Sequence, residues 1–311
     1  MSLLVTGTVG IDDIVTPNGH ANQVLGGSCM YFSAAASFYG GVRIVAAVGD
    51  DFPEGFRSTF KAFPSVDTAG LETRKGSKTF RWGGKYLKNM DSRETLFTEL
   101  GVVGEAPPVV PPQFRDTPYL FLANMPPAVQ MGLLDQVKSG GGAKLAVADT
   151  MDLWINVARA DLQVLMRRVD GLVLNYDEAE LLTGKQNTVT AGREILNMGP
   201  RFVVVKKGEH GCLLIHRDGI CALPAYPTEK VVDPTGCGDT FAGGLMGSLA
   251  GDPSKHHQGD PGSFGSIRRA IVHGTVIASF TIEAFSLDRL KVLKRSEIEA
   301  RFDEYAAMVR V

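Results

Sequence analysis

The sequence predicts an α/β protein built on a mostly parallel sheet with helices over both faces. Three observations carry this. Short β-rich runs alternate with amphipathic runs of helical length. The β runs are apolar throughout, as in Gly171-Leu-Val-Leu-Asn175, the pattern of a strand covered on both sides. Late in the chain, residues 211–215 and 220–223 flank Asp218-Gly219, a hairpin signal, so antiparallel strands are expected near the end of the sheet.

Taken in order, residues 3–7, 43–49, 119–123, 144–149, 171–175 and 202–206 read as buried strands, being short, apolar and rich in β-branched residues. Residues 29–39, 53–63, 127–139, 162–169 and 191–198 read as the helices between them. The stretch 66–105 breaks the rhythm and shows no helix. In it Phe80, Trp82 and Tyr86 share one face of an alternating strand, and Arg81, Gly83 and Lys85 the other. Residues 95–100 alternate again after a polar connection, Asn89-Met-Asp-Ser-Arg93. A small two-sided sheet inserted into one α/β domain spanning 1–311 accounts for this. Its aromatic face would cover a ligand or meet a second copy of the chain, while the same spacing also fits an ordinary sheet packed on the core.

Composition narrows the function. The 311 residues carry a formal charge of −2, too balanced for an electrostatic grip on nucleic acid or an anionic membrane. Apolar runs are interrupted within a few residues, so no segment is expected to span a bilayer. The start lacks a basic region and soon meets Asp12 and Asp13, unlike a signal peptide. Four scattered cysteines (Cys29, Cys212, Cys221 and Cys237) suggest reduced thiols and a cytoplasmic location. The six histidines lack metal-ligand spacing. His256-His257 reads as a surface pair in a polar loop, and no structural metal is expected.

The chemistry concentrates in Asp233-Pro-Thr-Gly-Cys-Gly-Asp239, placed where an apolar helical run begins. Gly236 and Gly238 would let several N–H groups face one anion at the positive end of that helix, and Asp239 would be a proton acceptor beside it. Phe241, Leu245 and Leu249 form the helix's core stripe. Gly243, Gly244 and Gly247 within it imply close backbone packing or a ligand against the helix. Asn175 and Glu178 share one helical face at a strand end, where hard oxygen donors suit water-bridged Mg²⁺, and the same pair fits a capping box. The turn after Val203-Val-Val-Lys206 carries Gly208 and Gly211, which would admit a polyphosphate near the Lys206 cation; a solvated surface turn has the same composition. Asp12, in a turn after the first strand, would bind substrate hydroxyls, with Gly26-Gly27 leaving room for a small polyol, unless Asp12-Asp13 is simply a solvated turn. Neither a Walker loop nor a dinucleotide-binding Gly-x-Gly-x-x-Gly is present.

Together these motifs resemble the ribokinase-like (PfkB) carbohydrate kinases, over residues 7–284 and in that family's order. The resemblance implies a three-layer sandwich with a mostly parallel central sheet and a small β-lid, formed by about 11–26 and 66–105. It implies Asp239 as the base, the amides of Gly236, Cys237, Gly238 and Asp239 as the anion hole, and Asn175 and Glu178 as ligands of Mg²⁺ through water. Lys206, Gly208, Gly211 and His273 would border the nucleotide, and Asp12, Gly26, Gly27, Tyr31 and Trp82 the acceptor. ATP would be the co-substrate with Mg²⁺, a monovalent cation being a further option, and a homodimer through the lid would hide apolar surface. Departures lie on the acceptor side: Tyr31 replaces the asparagine that many sugar-specific members carry, and Ser28 follows the glycine pair. Cys237 stands for a commoner alanine and Ala284 for a glycine near the nucleotide. The expected activity is phosphoryl transfer to a hydroxyl, the primary one, of a sugar or sugar-like molecule. A nucleoside kinase using the same machinery and a non-catalytic nucleotide- or sugar-binding regulator are the alternatives.

Overall fold

The computed structural model describes residues 2–251 and 259–310; His256 and His257 lie outside the described residues. Nine strands form the central sheet and four a smaller one. The central sheet contains β1 (Ser2–Thr6), β4 (Gly41–Gly49), β5 (Val66–Arg74), β8 (Tyr119–Leu122), β9 (Leu145–Asp149), β10 (Gly171–Asn175), β11 (Phe202–Lys206), β12 (Cys212–His216) and β13 (Gly219–Leu223). They run in the order β13-β12-β11-β10-β9-β8-β1-β4-β5. Every neighbour pair from β11 to β5 is parallel, and β12 and β13 close the other edge antiparallel. The small sheet contains β2 (Gly10–Thr16), β3 (Gly19–Gly26), β6 (Phe80–Tyr86) and β7 (Arg93–Glu99), ordered β3-β2-β6-β7.

Alternation along the strands feeds two cores. Leu3 and Val5 face one, with helices α1 (Ser28–Ala36) and α8 (Cys237–Ala250) and the helix Phe264–Thr281. Leu4 faces the other, beneath α3 (Pro127–Ser139), α5 (Arg159–Met166), α6 (Tyr176–Thr183) and α7 (Thr188–Asn197). A central strand is therefore apolar on both faces, which is why these segments read as uninterrupted hydrophobic runs. The three α8 glycines belong to packing, not to a ligand. A Cβ on Gly247 would lie 3.0 Å from the Cα of Ala36, and one on Gly244 2.8 Å from the carbonyl oxygen of His273. One glycine-bearing helix thus packs against two neighbours at backbone distance.

Several expectations shift. Residues 66–74 pair parallel with β4 as the edge of the central sheet, so they are not part of the lid. β5 is half exposed along its length, and such a strand has the same alternation as a lid strand. Asp12 and Asp13 lie within β2 and not in a turn; Asp12 is buried and Asp13 partly exposed. The helix expected over 53–63 is α-helical only at Glu54–Thr59 and finishes as a 3₁₀ turn, Phe60–Ala62. The hairpin turn is Arg217-Asp218, one residue earlier than expected. Among the described residues no helix is long and apolar enough to cross a membrane.

Candidate active site

Parallel strands end together along one edge of the sheet, and there a cavity of about 1190 Å³ opens beneath the small sheet. β9 delivers Asp149 to it, β10 Asn175, β11 Lys206, β2 Asp12, and the start of α8 delivers Gly236 to Asp239. The lid contributes Phe80, Trp82 and Tyr86. The face picked out by alternation is thus the face over the cavity.

The turn into α8 is held by its own motif. Asp233 is fully buried; its Oδ1 accepts from the Thr235 N–H at 2.8 Å and its Oδ2 from the Ser286 N–H at 3.4 Å. Gly236 then takes φ 74° as N-cap, a conformation that a side chain would strain. The Cys237 N–H donates to Pro234 O at 3.1 Å, so this amide is used inside the turn. That corrects the expected anion hole: the N–H groups of Gly236, Gly238 and Asp239 are the ones left to face an anion. Lys206 reaches across this helix start, where a Cβ on Gly238 would come within 2.7 Å of Nζ. The lysine therefore stands at the start of α8, apart from the turn that carries Gly208 and Gly211.

Burial raises the pKa of Asp239 above the ordinary carboxylate range, opposed by the Lys206 and Arg93 cations. Asp149 is raised as well, by burial first and then by the Asp239 charge, with Lys206 again opposing. The two carboxyls share one opposing cation, Lys206. Asp149 escaped the sequence reading, although a carboxylate closing the apolar strand Leu-Ala-Val-Ala-Asp was a usable signal. Its Oδ1 and the neighbouring Thr150 Oγ1 are buried without partners.

Asn175 and Glu178 form a complete capping box, with two hydrogen bonds of 2.8 Å. Glu178 is buried and its pKa is raised by that burial, against the nearby Lys206 charge. The Asn175 N–H donates to Glu178 Oε2, leaving Oε1 for a water. Among the described residues no group of three or more His, Cys, Asp or Glu side chains is arranged to hold a metal ion directly. Glu178 Oε1 is a hard oxygen donor of the kind that suits a hydrated cation.

Gly208 and Gly211, at φ 53° and 82°, both line the cavity. The lid loop descends onto this turn: Tyr176 Oη donates to Asp91 Oδ2 at 2.9 Å, and a Cβ added at Gly208 would displace the Asp91 carboxylate. Arg93, also unanticipated, lines the cavity with its guanidinium 5.9 Å from the Trp82 ring. The Thr235 hydroxyl donates to Tyr86 Oη at 3.3 Å, a second tie between lid and motif.

On the acceptor side, Gly27 lines the cavity, and its backbone N–H lowers the pKa of Asp12 against the effect of burial. Gly26 does not line it. It sits behind Asp12, where a Cβ would occupy the space of the carboxylate. The glycine pair thus makes room for Asp12 itself. Burial pushes Asp12 up to about 8, with the Asp233 and Asp239 charges adding to it. His273 is misplaced by the sequence reading: it stacks on Phe302 at 4.6 Å and meets Tyr39 edge-on at 5.3 Å, away from the cavity. His273 lies on a helix that does line the cavity, but with another face. Two residues on, Thr275 lines the cavity with Ala278 and Ser279, since a two-residue step turns a helix by about 200°.

Comparison with known proteins identifies the family and the fold. The family model described as pfkB family carbohydrate kinase matches residues 113–289. A cytidine kinase from Thermococcus kodakarensis is 31% identical over 256 residues, covering 79% of this chain and 87% of that one. The nucleoside kinase of Burkholderia thailandensis in complex with inosine shares the fold with a TM-score of 0.75 at 19% identity, covering 99% of each chain. A ribokinase II from Escherichia coli in complex with ATP and Mg²⁺ has a TM-score of 0.75 at 17% identity, covering 98% of this chain and all of that one. The chain belongs to the pfkB family of carbohydrate kinases, phosphotransferases with hydroxyl acceptors.

Proposed function

We propose that this protein transfers the γ-phosphoryl group of ATP to a primary hydroxyl of a sugar or nucleoside, with Asp239 as the base. The observation that carries this reading is the meeting at one helix start of a partly buried carboxylate, three N–H groups and the Lys206 ammonium. Asp239 accepts the hydroxyl proton as that oxygen bonds to the γ-phosphorus. The bond from phosphorus to the β–γ bridging oxygen breaks, and ADP leaves with the electron pair. The amides of Gly236, Gly238 and Asp239, with Lys206, stabilise charge on the group in transit. Asn175 and Glu178 would hold Mg²⁺ through water, and bound Mg²⁺ supplies neutralisation of the phosphate charge. Gly208 and Gly211 border the phosphates, and the lid, latched through Asp91 and Tyr86, excludes water.

A nucleoside acceptor is favoured by the aromatic lid, where Trp82 offers a ring beside Arg93, and by the similarity to the cytidine kinase. Pairing of two lids into a homodimer belongs to the same reading, because β7 is an edge strand of the small sheet and carries the exposed Leu96. The four free cysteines suit the reducing cytoplasm. ADP release measured with cytidine, inosine, adenosine, D-ribose and D-fructose tests the reading. Turnover of a hydroxyl compound is expected. ATP binding without turnover of any of them would turn the protein into a nucleotide-binding regulator.

A further inference from the structure

From the start of α8 the cavity runs in two directions. Toward β11 and β12 it passes Lys206, Gly208 and Thr275, the side read above as the nucleotide's. Toward β8 and β9 it ends on residues that the transfer chemistry leaves unused: Asn124 after β8, and Thr150, Met151 and Trp154 after β9. That end adjoins the acceptor wall, because a Cβ on Gly7 would lie 2.8 Å from both Ala123 Cβ and Ser28 Oγ. A buried amide on α3 fixes both strand ends: Gln130 Nε2 donates to the carbonyl oxygens of Leu122, Ala123 and Asp149 at 2.8, 3.2 and 3.1 Å.

Asn124 Oδ1 accepts from Trp154 Nε1 at 2.8 Å. An indole nitrogen can only donate, so this bond fixes which way the amide points and leaves Nδ2 as the group to be used. Nδ2 meets the Met151 thioether at 2.9 Å, a weak acceptor on a flexible side chain that a carbonyl or ring nitrogen would displace. Thr150 Oγ1 is buried with no partner at all, which marks a place for an incoming polar group. Met151, Leu153 and Trp154 supply apolar surface, and residues 149–154 contribute no cation. These surroundings suit a neutral, flat ring that carries hydrogen-bond acceptors. An anionic group would find no counter-charge there, and a bare polyol would leave the apolar wall unused.

We propose that Asn124 and Thr150 form a base subsite: they hydrogen-bond the heterocycle of a nucleoside acceptor, which lies against Met151 and Trp154 at the ends of β8 and β9. The assignment rests on the kinase reading above and goes beyond it by naming the residues that select a nucleoside over a free sugar. It adds a hydrogen-bonding wall to the aromatic surface of the lid.

The test is kcat/KM of the wild type and of Asn124→Leu with cytidine, inosine, D-ribose and phenyl C-riboside, a nucleoside analogue whose ring has no hydrogen-bonding atom. KM for ATP is read in the same assays. On the better of the two nucleosides Asn124→Leu should lose about 10–100-fold, the rate equivalent of one hydrogen bond left unmade in a buried site. D-Ribose and phenyl C-riboside should change by less than about threefold, and KM for ATP should not move. An equal loss on all acceptors, a loss that comes with a raised KM for ATP, or an unchanged nucleoside preference overturns the assignment. Leucine also strands the Trp154 N–H, so Asn124→Asp is measured beside it. There an oxygen remains for the indole and only the spare N–H is gone. The same selective loss is expected, and a wild-type nucleoside preference in that variant is equally fatal. If the wild type turns over D-ribose and neither nucleoside, this assignment fails alone; if it turns over none of these compounds, the kinase reading fails with it.

Discussion

Gly238→Ala separates the phosphate-site geometry from the stability of the fold. Gly238 is helical and without a positive φ, so alanine suits its backbone and in a helix interior would be worth up to about 1 kcal/mol. The new Cβ meets one atom at short range, Lys206 Nζ, 2.7 Å away and at the end of a flexible side chain. Ordinary contact requires that ammonium to retreat by about 1 Å. At an effective dielectric constant of about 20, moving a unit charge from about 3 to about 4 Å from a phosphoryl oxygen forfeits about 1.4 kcal/mol. That is roughly tenfold in rate, and a 1 Å misplacement of a catalytic group reaches about 10²-fold. Gly238→Ala should therefore melt within a few degrees of the wild type while its ADP-release kcat falls about 10–100-fold. Wild-type turnover in a folded Gly238→Ala would refute the placement of Lys206 across the helix start. Gly236→Ala is the contrasting control: at φ 74° and against the Tyr31 ring, it should lose stability and activity together.

Two further outcomes follow from the carboxyls. Asp12, pushed up to about 8 from an ordinary 3.8, keeps in the folded protein a proton that the unfolded chain releases. Stability therefore declines as pH rises from about 4 to about 8, and the slope should be shallower in Asp12→Asn; parallel melting-temperature profiles for the two proteins would contradict this. Glu178→Gln should raise the Mg²⁺ concentration needed for half-maximal activity, because Oε1 is the oxygen left for a metal-bound water, and an unchanged Mg²⁺ titration would reduce Glu178 to its capping role.

Much of the fold was readable because central strands of a doubly covered sheet are apolar at every position. β10 and β11 coincide with the expected residues for that reason. β5 was not legible: an edge strand that is half exposed has the period of a lid strand, and only its pairing with β4 tells them apart. At the site, Asp12, Asn175, Glu178, Lys206, Gly208 and Asp239 all line one cavity: all but Asp12 sit at a strand end or helix start that the topology gathers on one edge, and Asp12 comes from within β2 of the small sheet. Asp149 was hidden because a lone aspartate after an apolar strand resembles any strand terminus. Its importance arises from Asp239 and Lys206, far off in sequence. His273 failed because the phase of a helix depends on which neighbours it packs against, and Phe302 and Tyr39 claim that face. The Cys237 amide failed because a turn's internal bond to Pro234 is set by backbone geometry, which the motif's residue types do not reveal.

The central claim is that Asp239 takes the proton from the acceptor hydroxyl. Its most direct measurement is the rate of phosphomonoester formation, followed by ³¹P NMR, in the wild type and Asp239→Asn with ATP and the best acceptor of the panel. The account predicts a fall in kcat of at least about 10²–10⁴-fold with ATP binding retained. Product formation by Asp239→Asn at a rate near that of the wild type would contradict it.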